Sequence, residues 1–178
     1  MATVVQEQRL QERFDLWDVN GDGTIDKSDW EAEARRILRG FGEPEDSPKA
    51  TKLMNAYLGM WDYLANKAGV GNNGSMTPDQ FRQVADRHIL ADDGAGFAKV
   101  LQPTINAILK LADTDGDGAV SPQEFRRWIQ AVGADPSVAD EAFRRIDTDG
   151  NGELSVQELV QAVKDYHLGR LEFSLLGR

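Results

Sequence analysis

The 178-residue chain carries 30 Asp and Glu against 20 Lys and Arg, a formal net charge of −10, with two His and no Cys. Disulfides, thiolate zinc sites and a thiol nucleophile are thereby excluded, and the negative charge repels phosphate backbones and anionic lipid, so neither nucleic acid nor a membrane is an expected partner. No stretch approaches the roughly 20 apolar residues of a membrane span, and the opening MATVVQEQRL has no basic segment followed by an apolar run, which leads us to expect a soluble, cytoplasmic protein.

In chain order, Leu10, Phe14 and Trp17 recur at i, i+4 and i+7 and predict a helix that runs into the segment Asp18 to Asp29, DVNGDGTIDKSD. Trp30, Ile37 and Leu38 continue the apolar face beyond it. Gly40 to Pro48, GFGEPEDSP, reads as a joint, with Ser47 capping the next helix and Pro48 at its first position. That helix carries Trp61, Leu64 and Ala68 into Gly69 to Gln80, GVGNNGSMTPDQ, and Phe81, Val84 and Ala85 follow. Asp92 to Gly96, DDGAG, divides the chain into halves. Ile105, Leu109 and Ala112 then lead into Asp113 to Glu124, DTDGDGAVSPQE, with Phe125, Trp128 and Ile129 after it. Gly133 to Ser137 marks one more joint before Asp147 to Glu158, DTDGNGELSVQE.

Three of these 12-residue segments share one oxygen-donor pattern, that of the EF-hand calcium loop, in which positions 1, 3, 5, 7, 9 and 12 face a hard cation and Gly at position 6 makes a sharp turn. The position-6 glycines are Gly23, Gly118 and Gly152. Positions 1, 3 and 5 are Asp18, Asn20 and Asp22; Asp113, Asp115 and Asp117; and Asp147, Asp149 and Asn151. Position 7 donates only its carbonyl, from Thr24, Ala119 and Glu153. Asp26 adds a carboxylate at position 9 of the first loop, and Asp29, Glu124 and Glu158 close the three loops at position 12. Three Ca²⁺ ions are therefore expected, and they would bring the formal charge from −10 to −4.

EF-hands pair, and Gly69 to Gln80 supplies the missing fourth. Its Gly74 falls at position 6 and Met76 at the apolar position 8, but Gly69, Gly71 and Gln80 leave no carboxylate at positions 1, 3 or 12, so no dication is expected there. Ile25, Met76, Val120 and Leu154 at position 8 predict short β contacts between paired loops. The fold class is all-α: two pairs of helix-loop-helix units packed into one compact globule, divided as residues 1–91 and 97–178. Loops one and two begin 51 residues apart, loops three and four 34 apart, which argues against a dumbbell of equal lobes.

Asp29 is one methylene shorter than Glu, which favours six ligands over seven and opens the first site to Mg²⁺. Trp17, Trp30, Trp61 and Trp128 read as core, His88 and His167 as surface or satisfied residues, and Arg35-Arg36, Arg126-Arg127 and Arg144-Arg145 as a solvated face. Asn73-Gly74-Ser75 reads as loop geometry rather than a glycosylation acceptor. Leu171, Phe173, Leu175 and Leu176 are placed to fold back into the groove between helices. Many acids suggest a glycosidase only until they are assigned to loops; no enzyme is expected.

The active-silent-active-active order, Asp29 at the close of the first loop, AGVG at Ala68 to Gly71 with Gly74-Ser75, and the HLGRLEF run from His167 to Phe173 together resemble the four-EF-hand family of calerythrin and, more distantly, the sarcoplasmic calcium-binding proteins. The resemblance spans nearly the whole chain. It implies a compact four-hand fold with three Ca²⁺ sites and a buffering or transport role in the cytosol. Two alternatives stand beside it. A calmodulin-like sensor would expose a Met-rich groove to a target protein, for which only four Met are present. A dockerin-like adhesion module fits the first loop but lacks an entering helix such as Leu10, Phe14 and Trp17 provide.

Overall fold

Small polar residues that hold the first free amides decide where the helices begin. The computed structural model describes residues 2–176; Met1, Gly177 and Arg178, at the ends of the two expected units, lie outside the described residues. Thr3 caps helix α1 (Val4–Trp17), Asp26 caps α2 (Lys27–Phe41) and Ser47 caps α3 (Pro48–Ala68). Thr77 caps the short α4 (Pro78–Val84), which continues as a π turn over Ala85–Ile89 and a single turn α5 (Ala91–Gly94). In the second half α6 (Phe97–Ala112) precedes α7 (Pro122–Ala131), capped by Ser121. A 3-10 turn (Pro136–Val138), α8 (Ala139–Ile146) and α9 (Val156–His167), capped by Ser155, complete the chain before the tail.

The loops pair as their apolar eighth positions dictate. Strands β1 (Ile25–Asp26) and β2 (Ser75–Met76) run antiparallel, with Ile25 opposite Met76 and Asp26 opposite Ser75. Val120 and Leu154 form the equivalent bridge, each amide donating to the other's carbonyl at 2.9 and 2.8 Å. All four side chains are buried, so each contact also plugs the bottom of its pair of hands.

One hydrophobic cluster runs through both halves. Trp17, Trp30, Tyr57 and Trp61 pack as tilted aromatics in the first half, while Trp128 and Phe125 anchor the second. Helix α3 lies against α6, α2 against α7 and α1 against α9, so helices of the two halves pack directly on one another. Arg127 braces the seam by donating to the carbonyls of Leu111 and Phe41, each at 3.1 Å. Among the described residues no helix is long and apolar enough to cross a membrane.

Four expectations change. Helix α2 runs through Gly40 to Phe41, and the chain turns only at Gly42, in the left-handed region at φ 68°. Gly40 serves packing instead: a Cβ there would sit 2.0 Å from the carbonyl oxygen of Ala131 on α7. Asp92 to Gly96 is a tight turn rather than an open divider, with Asp92 and Asp93 at φ 53° and 58°, a region that Asp tolerates better than most residues. Arg36 and Arg127 are not on a solvated face: Arg36 grips the buried Glu33 with two hydrogen bonds of 2.7 and 2.8 Å, and Arg127 spans the seam. Gly74 does not take the left-handed turn of the other position-6 glycines; a Cβ there would lie 2.1 Å from the Val70 carbonyl oxygen, so close approach is what requires Gly.

Candidate metal centre

Loops one, three and four repeat one set of backbone contacts. Each entering helix ends at its position-1 Asp, whose Oδ2 accepts the amide of the position-6 glycine: Gly23 to Asp18 at 2.9 Å, Gly118 to Asp113 at 3.0 Å and Gly152 to Asp147 at 3.0 Å. Those glycines lie at φ 86°, 80° and 82°, a conformation that β-carbon sterics deny to most other residues. The position-5 side chain then accepts the position-7 amide, Thr24, Ala119 or Glu153, each at 2.9 Å.

Position 12 performs two tasks. Glu124 is the third residue of α7 and accepts the amide of its own cap, Ser121, at 2.8 Å, while its other oxygen reaches back to the amide of Thr114 at 2.8 Å. Glu158 repeats this with Ser155 at 2.9 Å and Asp149 at 3.4 Å. A capping box thus holds the carboxylate that faces the loop, tying the start of the exiting helix to the start of the loop. Asp29 reaches the equivalent amides, Asp26 at 3.0 Å and Val19 at 3.1 Å, despite its shorter side chain. Asp26 spends its own side chain as the cap of α2, on the amides of Ser28 and Asp29.

The carboxylates gather unequally. Asp113, Asp115, Asp117 and Glu124 bring ligand oxygens within 4.8 Å of one another, and Asp147, Asp149 and Glu158 do likewise, with the Asn151 amide at the fifth position of that loop. Among the described residues the acids of the first loop form no such group of three, although Asp18, Asp22 and Asp29 stand at positions 1, 5 and 12. In the fourth loop Asp147 Oδ1 is buried with no hydrogen-bond partner, an arrangement that a cation would relieve. These are hard, mostly anionic oxygens in the number and type that suit Ca²⁺.

Their proton affinities record the crowding. The Asp117 amide favours ionised Asp115, but burial and the neighbouring Asp113, Asp117 and Glu124 outweigh it and hold that carboxyl above its usual range. Asp149 is raised in the same way, the amide of Asn151 being overcome by burial, Asp147 and Glu158. Burial pushes Glu124 and Glu158 up, yet the amides at both ends of their loops reverse this and leave both below the ordinary value. Asp29 goes the other way: burial dominates, with Asp26 and Asp18 adding to it, and its two amides do not compensate.

The silent loop departs in backbone as well as in ligands. Gly69 ends α3 in the left-handed region at φ 73°, and Gly71 repeats that value, where the active loops hold their position-1 Asp at φ between −69° and −76°. The Trp61 indole donates to the Asn72 carbonyl at 2.8 Å, and Asp62 holds the Asn72 side chain. Gln80 keeps one of the two tasks of position 12, accepting the amide of its cap Thr77 at 2.9 Å. Sequence reading missed residues that set the frame of these loops: the Thr114 hydroxyl on Glu124 at 3.0 Å, and Trp61 beneath the second loop.

Comparison with known proteins places this geometry. Models of the EF-hand domain pair match residues 102–164 and 72–131, and an EF-hand model matches residues 10–32. Calerythrin of Saccharopolyspora erythraea is 42% identical over 99% of this chain and 100% of its own. The sarcoplasmic calcium-binding protein beta chain of Penaeus is 29% identical over 75% of this chain and 71% of its own. A solved calcium-binding protein from Streptomyces coelicolor, described as a basis for prokaryotic calcium-mediated regulation, is 31% identical, covers 92% of this chain and 98% of its own, and superposes with a TM-score of 0.71. These relatives are calcium-binding proteins rather than enzymes, and this chain is a calcium-binding EF-hand protein that belongs to the calerythrin and sarcoplasmic calcium-binding protein family.

Proposed function

We propose that the protein is a cytoplasmic, monomeric calcium buffer or carrier that holds three Ca²⁺ ions, within the ranges 18–29, 113–124 and 147–158. The residues that would hold them are Asp18, Asn20, Asp22, Asp29 and the Thr24 carbonyl, with Asp26 adding charge; Asp113, Asp115, Asp117, Glu124 and the Ala119 carbonyl; and Asp147, Asp149, Asn151, Glu158 and the Glu153 carbonyl. Mg²⁺ competes chiefly at the first site, where position 12 is the short Asp29. Residues 1–91 and 97–178 act as the two pairing units.

The observation that favours a buffer is the tail. Leu171, Leu175 and Leu176 are buried, and Phe173 packs half-buried under Arg145. The groove a target helix would need is thus filled from within, and Val4, Val5 and Val19 are the large apolar side chains left exposed among the described residues. A sensor is the second reading, supported by the regulatory description attached to the Streptomyces coelicolor relative. Dye binding separates them: a buffer binds less of an apolar-surface dye when Ca²⁺ is added, whereas a sensor binds more as its groove opens.

A further inference from the structure

Three side chains from three helices converge on the last carbonyls of the tail. The buried Trp128 indole on α7 donates to the Leu175 carbonyl at 2.8 Å. Arg13 on α1, itself buried, donates to Leu176 at 3.5 Å and to the Ser174 hydroxyl at 3.2 Å. Arg36 on α2 donates to the Leu176 carbonyl at 3.4 Å and to the Val132 carbonyl, at the end of α7, at 2.8 Å. The tail's hydrophobic side chains explain its burial in the groove, but they do not explain why two guanidinium groups from the first hand reach across to it.

Arg36 is fixed by its partner. Both Glu33 oxygens are bound by the one guanidinium in a planar, two-bond clamp, with Glu33 2% exposed and the Arg36 side chain 36% exposed. Glu33 stands one helical turn after Asp29, which closes the first metal loop and is equally buried at 2% exposure. Asp29 is tied by amides to Val19 and Asp26, so any shift of the loop on taking up a cation is transmitted to the first turn of α2. One turn further on, the same rigid helix carries the clamp that holds the tail.

We propose that Arg36 is a positioning residue for the first calcium site: through Glu33 and the carbonyl of Leu176 it makes docking of the tail and occupation of the first loop mutually reinforcing. The inference rests on the three-site reading above. Linkage requires reciprocity: if the docked tail presets α2 for the first site, filling that site must tighten the tail by the same factor. The fourth site, whose position-12 Glu158 lies on α9, stays outside this coupling, whereas α7, which carries Glu124 of the third loop, meets the same tail through Trp128 and meets Arg36 through the Val132 carbonyl.

The test uses the full chain with amide resonances of Gly23, Gly118 and Gly152 as separate reporters of the three loops during Ca²⁺ titration, and hydrogen exchange at Leu175 and Leu176 as a second readout. Removal of residues 175–178 leaves the Arg36–Glu33 pair intact and is expected to weaken the first site on the order of five- to tenfold with the fourth unchanged, whereas the third also loses the Trp128 contact to Leu175. Arg36→Lys, which keeps the charge but loses the two-bond geometry, is expected to give the same loss and to add nothing in the shortened chain. Asp18→Ala, which empties the first loop, is expected to speed exchange at Leu175 and Leu176 by a comparable factor while Gly118 and Gly152 still titrate. Equal weakening of all three sites, or a first site indifferent to both changes, overturns the coupling. A native Gly23 that ignores Ca²⁺ while Gly118 and Gly152 respond removes the three-site reading, and the coupling with it.

Discussion

A single methylene separates Asp29 from the Glu residues that close the other active loops. Its oxygens are already committed to amides at both ends of the loop, and its carboxyl is held above the usual range by burial and by Asp26 and Asp18. Asp29→Glu restores the longer reach needed for two-oxygen ligation, and Ca²⁺ affinity at this site is expected to rise on the order of tenfold relative to Mg²⁺, read by calorimetric titration with and without Mg²⁺. His167 makes a different residue-level statement. Burial, reinforced by the charges of Arg13 and Arg9, depresses its pKa to about 3, although its Nδ1–H donates to the Val163 carbonyl at 2.8 Å. The unfolded chain takes up a proton near pH 6.5 and the native imidazole does not, so stability is complete above that pH and is lost as pH falls toward 3. Each unit in that window is worth about 1.4 kcal/mol. Relative to His167→Gln, metal-free protein should therefore lose about 2 kcal/mol between pH 7 and pH 5 in denaturant unfolding; parallel pH profiles for the two proteins contradict it.

At the scale of elements, the second loop is a helix-loop-helix unit with no carboxylate at positions 1, 3 or 12. Trp61 and Asp62 hold its Asn72, Gln80 accepts the amide of the α4 cap Thr77, and Met76 pairs with Ile25, so the loop is framed by hydrogen bonds and strand pairing. The missing carboxylates were readable in the chain; the left-handed backbone at Gly69 and Gly71 was not, because it arises from how α3 ends against its neighbours. Gly69→Asp, Gly71→Asp, Asn73→Asp and Gln80→Glu together restore a ligand sequence on an unsuitable backbone. Titration is expected to find no fourth Ca²⁺, and the two left-handed Asp residues should cost about 1 kcal/mol or more each. A fourth equivalent bound at no cost in stability contradicts this account.

Across the whole molecule, the acids that wrap the loops repel one another until a cation joins them, while one shared core keeps both halves in register. Binding to the folded state alone adds about 2.7 kcal/mol per site at a hundredfold excess over Kd. For a chain of this size each kcal/mol moves the melting temperature by about 2–4 °C, so Ca²⁺ should raise Tm by well over 10 °C in total and chelator should return it. Equal melting curves in Ca²⁺ and in chelator rule out metal-stabilised folding.

Local chemistry was legible because it is local: the Ser47 cap, helical periodicity and the apolar eighth positions each act within a dozen residues, and the structure places them as the chain predicts. Contacts distant in sequence were not legible. That Arg36 would clamp Glu33 and reach the Leu176 carbonyl, that Gly40 would meet the Ala131 backbone, and that His167 would be buried beside Arg13 depend on which helix faces meet across the two halves. Sequence by itself determined which loops carry the EF-hand oxygen pattern; only tertiary packing decided what those loops are tied to, because burial and hydrogen bonds between distant segments belong to pairs of residues that no periodicity brings together.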